Sequence, residues 1–168
     1  EWSCGFFVGA AYKGFDVKAR FTGVANRDYT YGDLNIMAFK NEAGNGNEWG
    51  GGSVQKYHLE NRYNPQDPST WRTAKYPRLS LLGGTHNRLD SDFWQDNGNF
   101  LRLKTLEMGY TLPQNWTRKV KISKARIFYT GYNLFTWHNM RVIDPESQPG
   151  ACNYPVQKVS SFGLSLQF

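Results

Sequence analysis

From Phe15 to Thr22 the chain alternates without a break: Phe15, Val17, Ala19 and Phe21 are apolar, while Asp16, Lys18, Arg20 and Thr22 are polar. Successive side chains of a strand point to opposite faces, so this run predicts a strand with one apolar and one polar face. Just upstream, Phe6, Val8, Ala10 and Tyr12 form a second apolar row within 4–12, and Lys13-Gly14 supplies a tight turn. The two runs therefore predict a hairpin, 4–12 with 15–25. A third strand is expected over about 100–112, with Leu106, Met108, Tyr110 and Leu112 on one face. Its phase inverts earlier, at Leu101 and Leu103. A bulge would invert it. The favoured explanation is a long strand that leaves a membrane, so that its outward residues change from lipid-facing to water-facing. A fourth strand is expected over 125–137, where Ile127 and Tyr129 share one side and Phe128 and Tyr132 the other, which leaves its apolar face open. The fifth covers 158–168, where Phe162, Leu164, Leu166 and Phe168 alternate with Ser161, Gly163, Ser165 and Gln167.

The connections alternate too: Lys13-Gly14 is minimal, 26–99 is long, 113–124 is short and 138–157 is long. Long loops on one side and short turns on the other are the layout of an outer-membrane barrel, with extracellular loops and periplasmic turns. In a compact soluble domain a connection as long as 26–99 would count against the strand assignment. Within it, Gly44–Gly52 reads as flexible, Ser53–Tyr63 as a helical turn or two, and Tyr76–Leu79 as extended. Five strands do not close a barrel, since single-chain barrels begin at about eight. The expectation is therefore a C-terminal part of a larger chain.

Composition sharpens this picture. With 39% hydrophobic and 16% aromatic residues and 17 glycines, the chain is rich in strand and turn formers. No apolar run approaches the roughly 18 residues of a transmembrane helix, which excludes a helical membrane protein but not a barrel. The net charge of +6 comes from scattered Lys and Arg, so nucleic acid is not an expected partner. Cys4 and Cys152 show no metal-ligand spacing, and a disulfide between them is open in an oxidising compartment.

The run Asn99-Phe-Leu-Arg-Leu-Lys-Thr-Leu-Glu-Met-Gly-Tyr-Thr-Leu-Pro113 joins a series of further signatures. They are Ala125-Arg-Ile-Phe-Tyr-Thr-Gly-Tyr-Asn-Leu-Phe-Thr-Trp137, Asp144-Pro-Glu146, Tyr154-Pro155 and the terminal Phe162-Gly-Leu-Ser-Leu-Gln-Phe168. In order and spacing they resemble the end of the SusC/RagA-like family of TonB-dependent outer-membrane transporters. Tyr12–Phe15, Trp71 with Tyr76–Leu79, and Ser91–Trp94 extend the resemblance over almost the whole chain. It implies an all-β fold, the last five strands of a roughly 22-stranded antiparallel transmembrane β-barrel. It further implies a plug domain outside this chain, coupling to TonB through that missing part, and a SusD-like surface lipoprotein that helps capture oligosaccharides or peptides. The implied location is the outer membrane of a Gram-negative bacterium of the Bacteroidetes.

Several residues are candidates for function. Trp49, Tyr57, Tyr63, Trp71 and Trp94 lie in or beside the outer loops, where flat rings can stack on a substrate; ordinary loop packing is the plainer role. Trp137, at a strand end, suits an interfacial aromatic girdle. Phe162, Leu164, Leu166 and Phe168 form a candidate barrel-assembly signal, an aromatic-ended strand for the assembly machinery to pair with. Outer-membrane lipid is the other expected partner. Asp90, Asp92, Asp96, Asp144 and Glu146 lack calcium-loop spacing, and His58, His86 and His138 are isolated, so no catalytic residue, metal or cofactor is expected. The rival from another class is a soluble carbohydrate-binding β-sandwich with the four terminal apolar residues in its core. A glycoside-acting enzyme would need two carboxylates to converge in one cleft.

Overall fold

The structure, a computed structural model, describes residues 1–31, 38–39, 54–80, 89, 91–147, 154 and 156–168. In chain order it contains β1 (Trp2–Tyr12), β2 (Phe15–Ala25), β3 (Asp28–Thr30), α1 (Lys56–Asn61), β4 (Gln95–Asn97), β5 (Phe100–Thr111), α2 (Gln114–Thr117), β6 (Lys124–His138) and β7 (Val159–Gln167). It divides into two compact units, one of residues 1–27, 98–139 and 155–168 and one of residues 28–97 and 140–154.

The first unit is a five-stranded antiparallel sheet in the order β1-β2-β5-β6-β7. β1 and β2 are joined by Lys13-Gly14, both at positive φ (46° and 89°), as a two-residue hairpin turn of matching twist requires. Glycine is needed at the second position, because a Cβ there would sit 2.8 Å from the Thr111 carbonyl oxygen.

Register decides which residues share a face. Phe6 pairs with Phe21, which pairs with Leu103, which pairs with Phe135. Further along the sheet, Tyr12, Phe15, Tyr110, Ile127 and Leu164 lie side by side across all five strands. Between these rows run Ala10, Val17, Met108, Tyr129 and Phe162. One face of the sheet is thus apolar from edge to edge, and it is exposed: Phe162 is 84% and Phe15 61% accessible. The opposite face carries Asp16, Lys18, Arg20, Glu107, Thr105, Arg126 and Thr130.

The phase inversion in β5 is a bulge, not a strand changing its surroundings as it leaves a membrane. Arg20 pairs with Thr105 and Phe21 with Leu103, so Lys104 is an extra residue against β2. Against β6 the surplus lies on the other strand, because Leu103 pairs with Phe135 and Thr105 with Tyr132. Asn133 absorbs it at φ 52°, a left-handed conformation that asparagine tolerates. The two offsets occur at the same level of the sheet. Their effect is to keep Leu101, Leu103, Leu106, Met108 and Tyr110 on one face despite the inverted sequence pattern. The register also settles β6, whose apolar face holds Ile127, Tyr129, Phe135 and Trp137, while Phe128 and Tyr132 lie on the polar face.

The second unit has a conventional interior. Tyr29, Tyr31, Tyr76, Trp94 and Met140 are buried together, with Tyr57, Leu79 and Ile143 packed against them. Its small ladder, β3 with β4, was not foreseen, since three residues are too few to show a period. The expected helical turn is α1, and Tyr76 forms a parallel bridge with Arg62. The glycine-rich run 44–52 lies outside the described residues.

Candidate functional site

On the polar face three strands converge on one guanidinium. Arg126 of β6 donates from Nε to Asp16 Oδ1 (3.2 Å) and from Nη2 to Asp16 Oδ2 (2.5 Å) and Glu107 Oε1 (2.8 Å). Asp16 lies on β2, two strands away, and Gly109 of β5 stands between. A Cβ at position 109 would fall on the guanidinium, so the missing side chain is what lets Arg126 cross the strand. The three side chains are only a fifth to a third exposed. A fork of charge-assisted bonds at that burial fixes three neighbouring strands in register on a polar wall.

In the second unit, Asp96 is the hub. It accepts a hydrogen bond from the Tyr31 hydroxyl (2.5 Å) and others from the Arg141 backbone N–H (3.0 Å) and Nε (2.9 Å). Burial, then the hydrogen bond to Asp96, pushes the Tyr31 phenol well above its ordinary range. The Arg141 guanidinium also lies 5.3 Å from the Tyr31 ring centroid and donates to the Phe93 carbonyl (2.8 Å). His58 is 1% exposed, 4.3 Å from the Tyr76 ring centroid, with neither ring nitrogen hydrogen-bonded among the described residues. Burial lowers its pKa.

The loop residues expected to contact substrate separate into different environments. Trp94 is 5% exposed, with its ring near-perpendicular to those of Tyr76 and Phe93, so it is a buried ring and not an open contact. Tyr57 packs against the same core. Trp71 is 54% exposed, and its indole N–H is spent on the Asn64 carbonyl (3.1 Å), which holds the ring while leaving its surface open. Thr70 braces the same loop through its own bonds to Asn64 and Asp67. Tyr63, beside Asn64, is also exposed. Trp49 lies outside the described residues, as do Asp90, His86 and Cys152, while Cys4 is exposed with a free thiol. Trp137 is exposed at the loop end of β6, beside Phe135. Phe162, Leu164, Leu166 and Phe168 are all exposed, the first three on β7, which pairs only with β6 among the described strands. Among the described residues no three His, Cys, Asp or Glu side chains are grouped to hold a metal. Asp144 turns inward on its own segment, accepting from the Glu146 N–H (2.9 Å). The hub formed by Tyr31, Asp96 and Arg141 was not anticipated, because its members are 45 to 110 positions apart and share no motif.

No family model matches the chain. It is 27% identical over 123 residues to TonB-dependent receptor P26 of Formosa agariphila, covering 66% of this chain and 12% of the relative. It is 25% identical over 185 residues to TonB-dependent receptor P3 of the same organism, covering all of this chain and 16% of the relative. The chain thus spans less than a fifth of the length of these curated relatives. Among solved structures it is similar to the RagAB peptide transporter, with a TM-score of 0.64 and 25% identity over 98% of this chain and 17% of the other. The RagAB peptide importer in its open-open state gives a TM-score of 0.62 and 26% identity over 99% of this chain and 17% of the other. Sequence relatives and structural neighbours agree with the strand layout and with the motifs that carry the resemblance, and they support the likeness of these 168 residues to one segment of SusC/RagA-like TonB-dependent transporters.

Proposed function

We propose that the sheet is five adjacent staves of a large transmembrane barrel, of about 22 strands as in plugged outer-membrane transporters, in the outer membrane of a Gram-negative bacterium. The observation that carries this reading is the edge-to-edge apolar face, exposed on all five strands, backed by a charged, hydrogen-bonded face. In water such a face would be a severe aggregation liability; against hydrocarbon it is the stable arrangement. Strand length fits as well. The 11 residues of β1 and β2 rise roughly 36 Å, or about 28 Å when tilted by about 40°, close to the roughly 25 Å apolar band of such barrels.

The polar face then lines the lumen, and the long connections form part of a substrate vestibule in which Trp71 and Tyr63 are the open aromatic contacts. The transported class is peptide or oligosaccharide, taken up with a SusD-like lipoprotein and driven through TonB by parts of the polypeptide outside this chain. RagAB is a peptide transporter, which favours peptide. The four apolar residues Phe162 to Phe168 serve as the strand that the assembly machinery recognises.

Site-directed spin labelling of the full-length polypeptide in lipid tests the arrangement. Labels at Met108→Cys and Leu164→Cys should be reached by oxygen and shielded from a water-soluble nickel relaxant, and a label at Thr130→Cys should show the reverse. Equal exposure of all three to nickel, in a protein soluble without detergent, would favour the carbohydrate-binding sandwich.

A further inference from the structure

One end of the sheet has a charge pattern that transport does not use. The β1–β2 turn carries Lys13, and the connection between β5 and β6 carries Arg118, Lys119 and Lys121, with no Asp or Glu anywhere from Leu112 to Lys124. The Thr111 N–H donates to the Gly14 carbonyl (2.8 Å), which sets the two turns side by side. The second is folded tightly on itself and onto β7: Trp116 N–H donates to Pro113 O, Ile122 N–H to Thr117 O, and Ser123 N–H to Gln167 O. All four cations are exposed, and among the described residues none is ion-paired.

Two aromatic residues tie this charge to the apolar face. The Lys13 ammonium lies 5.1 Å from the ring centroid of Tyr12, and Tyr12 heads the outward row that continues through Phe15 and Tyr110. Trp116, on α2 in the other turn, is 64% exposed. A bare indole beside cations is poorly placed in water but suits the headgroup layer, where an apolar ring with one polar edge meets both environments.

We propose that this end of the sheet is a docking surface for anionic phospholipid headgroups of the leaflet on the turn side. Arg118, Lys119, Lys121 and Lys13 face the phosphodiesters, and Trp116 and Tyr12 sit in the interfacial layer. The proposal rests on the sheet spanning a membrane. An acidic protein would also be attracted to the cations, but it would not account for aromatics at the rim of a lipid-facing row. Cations near a membrane surface add up in their attraction for anionic lipid, and the attraction is screened by salt.

The test uses the full-length polypeptide in phosphatidylcholine vesicles with spin-labelled phosphatidylglycerol or spin-labelled phosphatidylcholine as the probe, read as the fraction of probe held immobile against protein. The wild type should hold phosphatidylglycerol several-fold better than phosphatidylcholine at low salt, and the preference should shrink in high salt. The K13Q/R118Q/K119Q/K121Q variant should lose it, K13R/K119R/K121R should keep it, and K56Q/R72Q in the second unit should keep it. An undiminished preference in the quadruple variant, or none in the wild type, overturns the proposal while leaving the barrel intact. No immobile lipid of either kind would instead mean that the sheet does not span, and both readings fall. Cross-linking of the turns to an acidic protein, with no lipid preference, would reassign the surface to that protein.

Discussion

The two units of this chain obey opposite rules of burial. In the sheet apolar side chains on all five strands, such as Phe6, Phe15, Met108, Ile127 and Phe162, are exposed, while Arg126, Asp16 and Glu107 are sheltered in ion pairs. In the second unit Tyr29, Tyr31, Tyr76 and Trp94 are inside, and charged side chains such as Lys56 and Glu60 are outside. If the sheet spans a membrane as proposed, one chain serves two solvents. Apolar burial lowers free energy only where the alternative is water; where the alternative is hydrocarbon the apolar face belongs outside and polar groups must find partners within.

Core truncation in the second unit should give the largest effect. Trp94→Ala removes a ring from the centre of the aromatic cluster and is expected to cost about 3–5 kcal/mol. Limited proteolysis of the full-length protein should show cleavage appearing in the second unit, while the heat-dependent gel shift of a folded barrel stays unchanged. Next in size is the inverse change on the sheet. Met108→Arg places a charge on the outward face and is expected to cost about 2–4 kcal/mol if that face meets lipid at mid-depth. Thr130→Arg, one row away on the polar face, should cost far less. Equal costs at the two positions in reconstituted protein would erase the contrast between faces.

The sequence was legible where period and position coincide. Alternation through Phe15–Phe21 and Phe162–Phe168 revealed both strands and their apolar faces, because a side-chain period of two needs only local information. It misled at Leu103–Leu106, where the inversion reflects an extra residue in the ladder, and it was silent on β6, where aromatic residues occupy both faces. What a bulge does depends on the partner strand, and no single strand carries that information. The second unit was least legible. Its core unites Tyr29, Tyr76, Trp94 and Met140 from distant stretches, so neither period nor spacing marks them, and Trp94 looked like an open ring when it is a core residue.

A smaller effect is expected at the polar hub of the second unit. Asp96→Asn keeps the shape and still accepts from Tyr31, but it leaves the half-buried Arg141 guanidinium without its carboxylate. The expected cost is about 1–3 kcal/mol. Hydrogen exchange should speed up at Tyr31 and Arg141, whose backbone N–H groups bond to Trp94 O and Asp96, and stay unchanged in β5 and β6. Faster exchange throughout the sheet would mean that the two units unfold as one.

The smallest effect separates the units by pH. His58 is buried against Tyr76 without a hydrogen-bond partner among the described residues, and burial lowers its pKa from 6.5. Below 6.5 the unfolded segment takes up a proton that the folded one refuses, so the unfolded state binds more protons and stability falls as pH falls. The loss begins near 6.5, grows as pH drops toward the folded value, and levels off beneath it. Proteolytic resistance of the second unit should therefore decline on mild acidification. In His58→Phe, which fills the same aromatic site without a titrating group, the decline starting near 6.5 should disappear. The variant should be no less stable than the parent at neutral pH, because two nitrogens without a hydrogen-bond partner among the described residues leave with the imidazole. An identical decline in both proteins would move the acid sensitivity to other titrating groups.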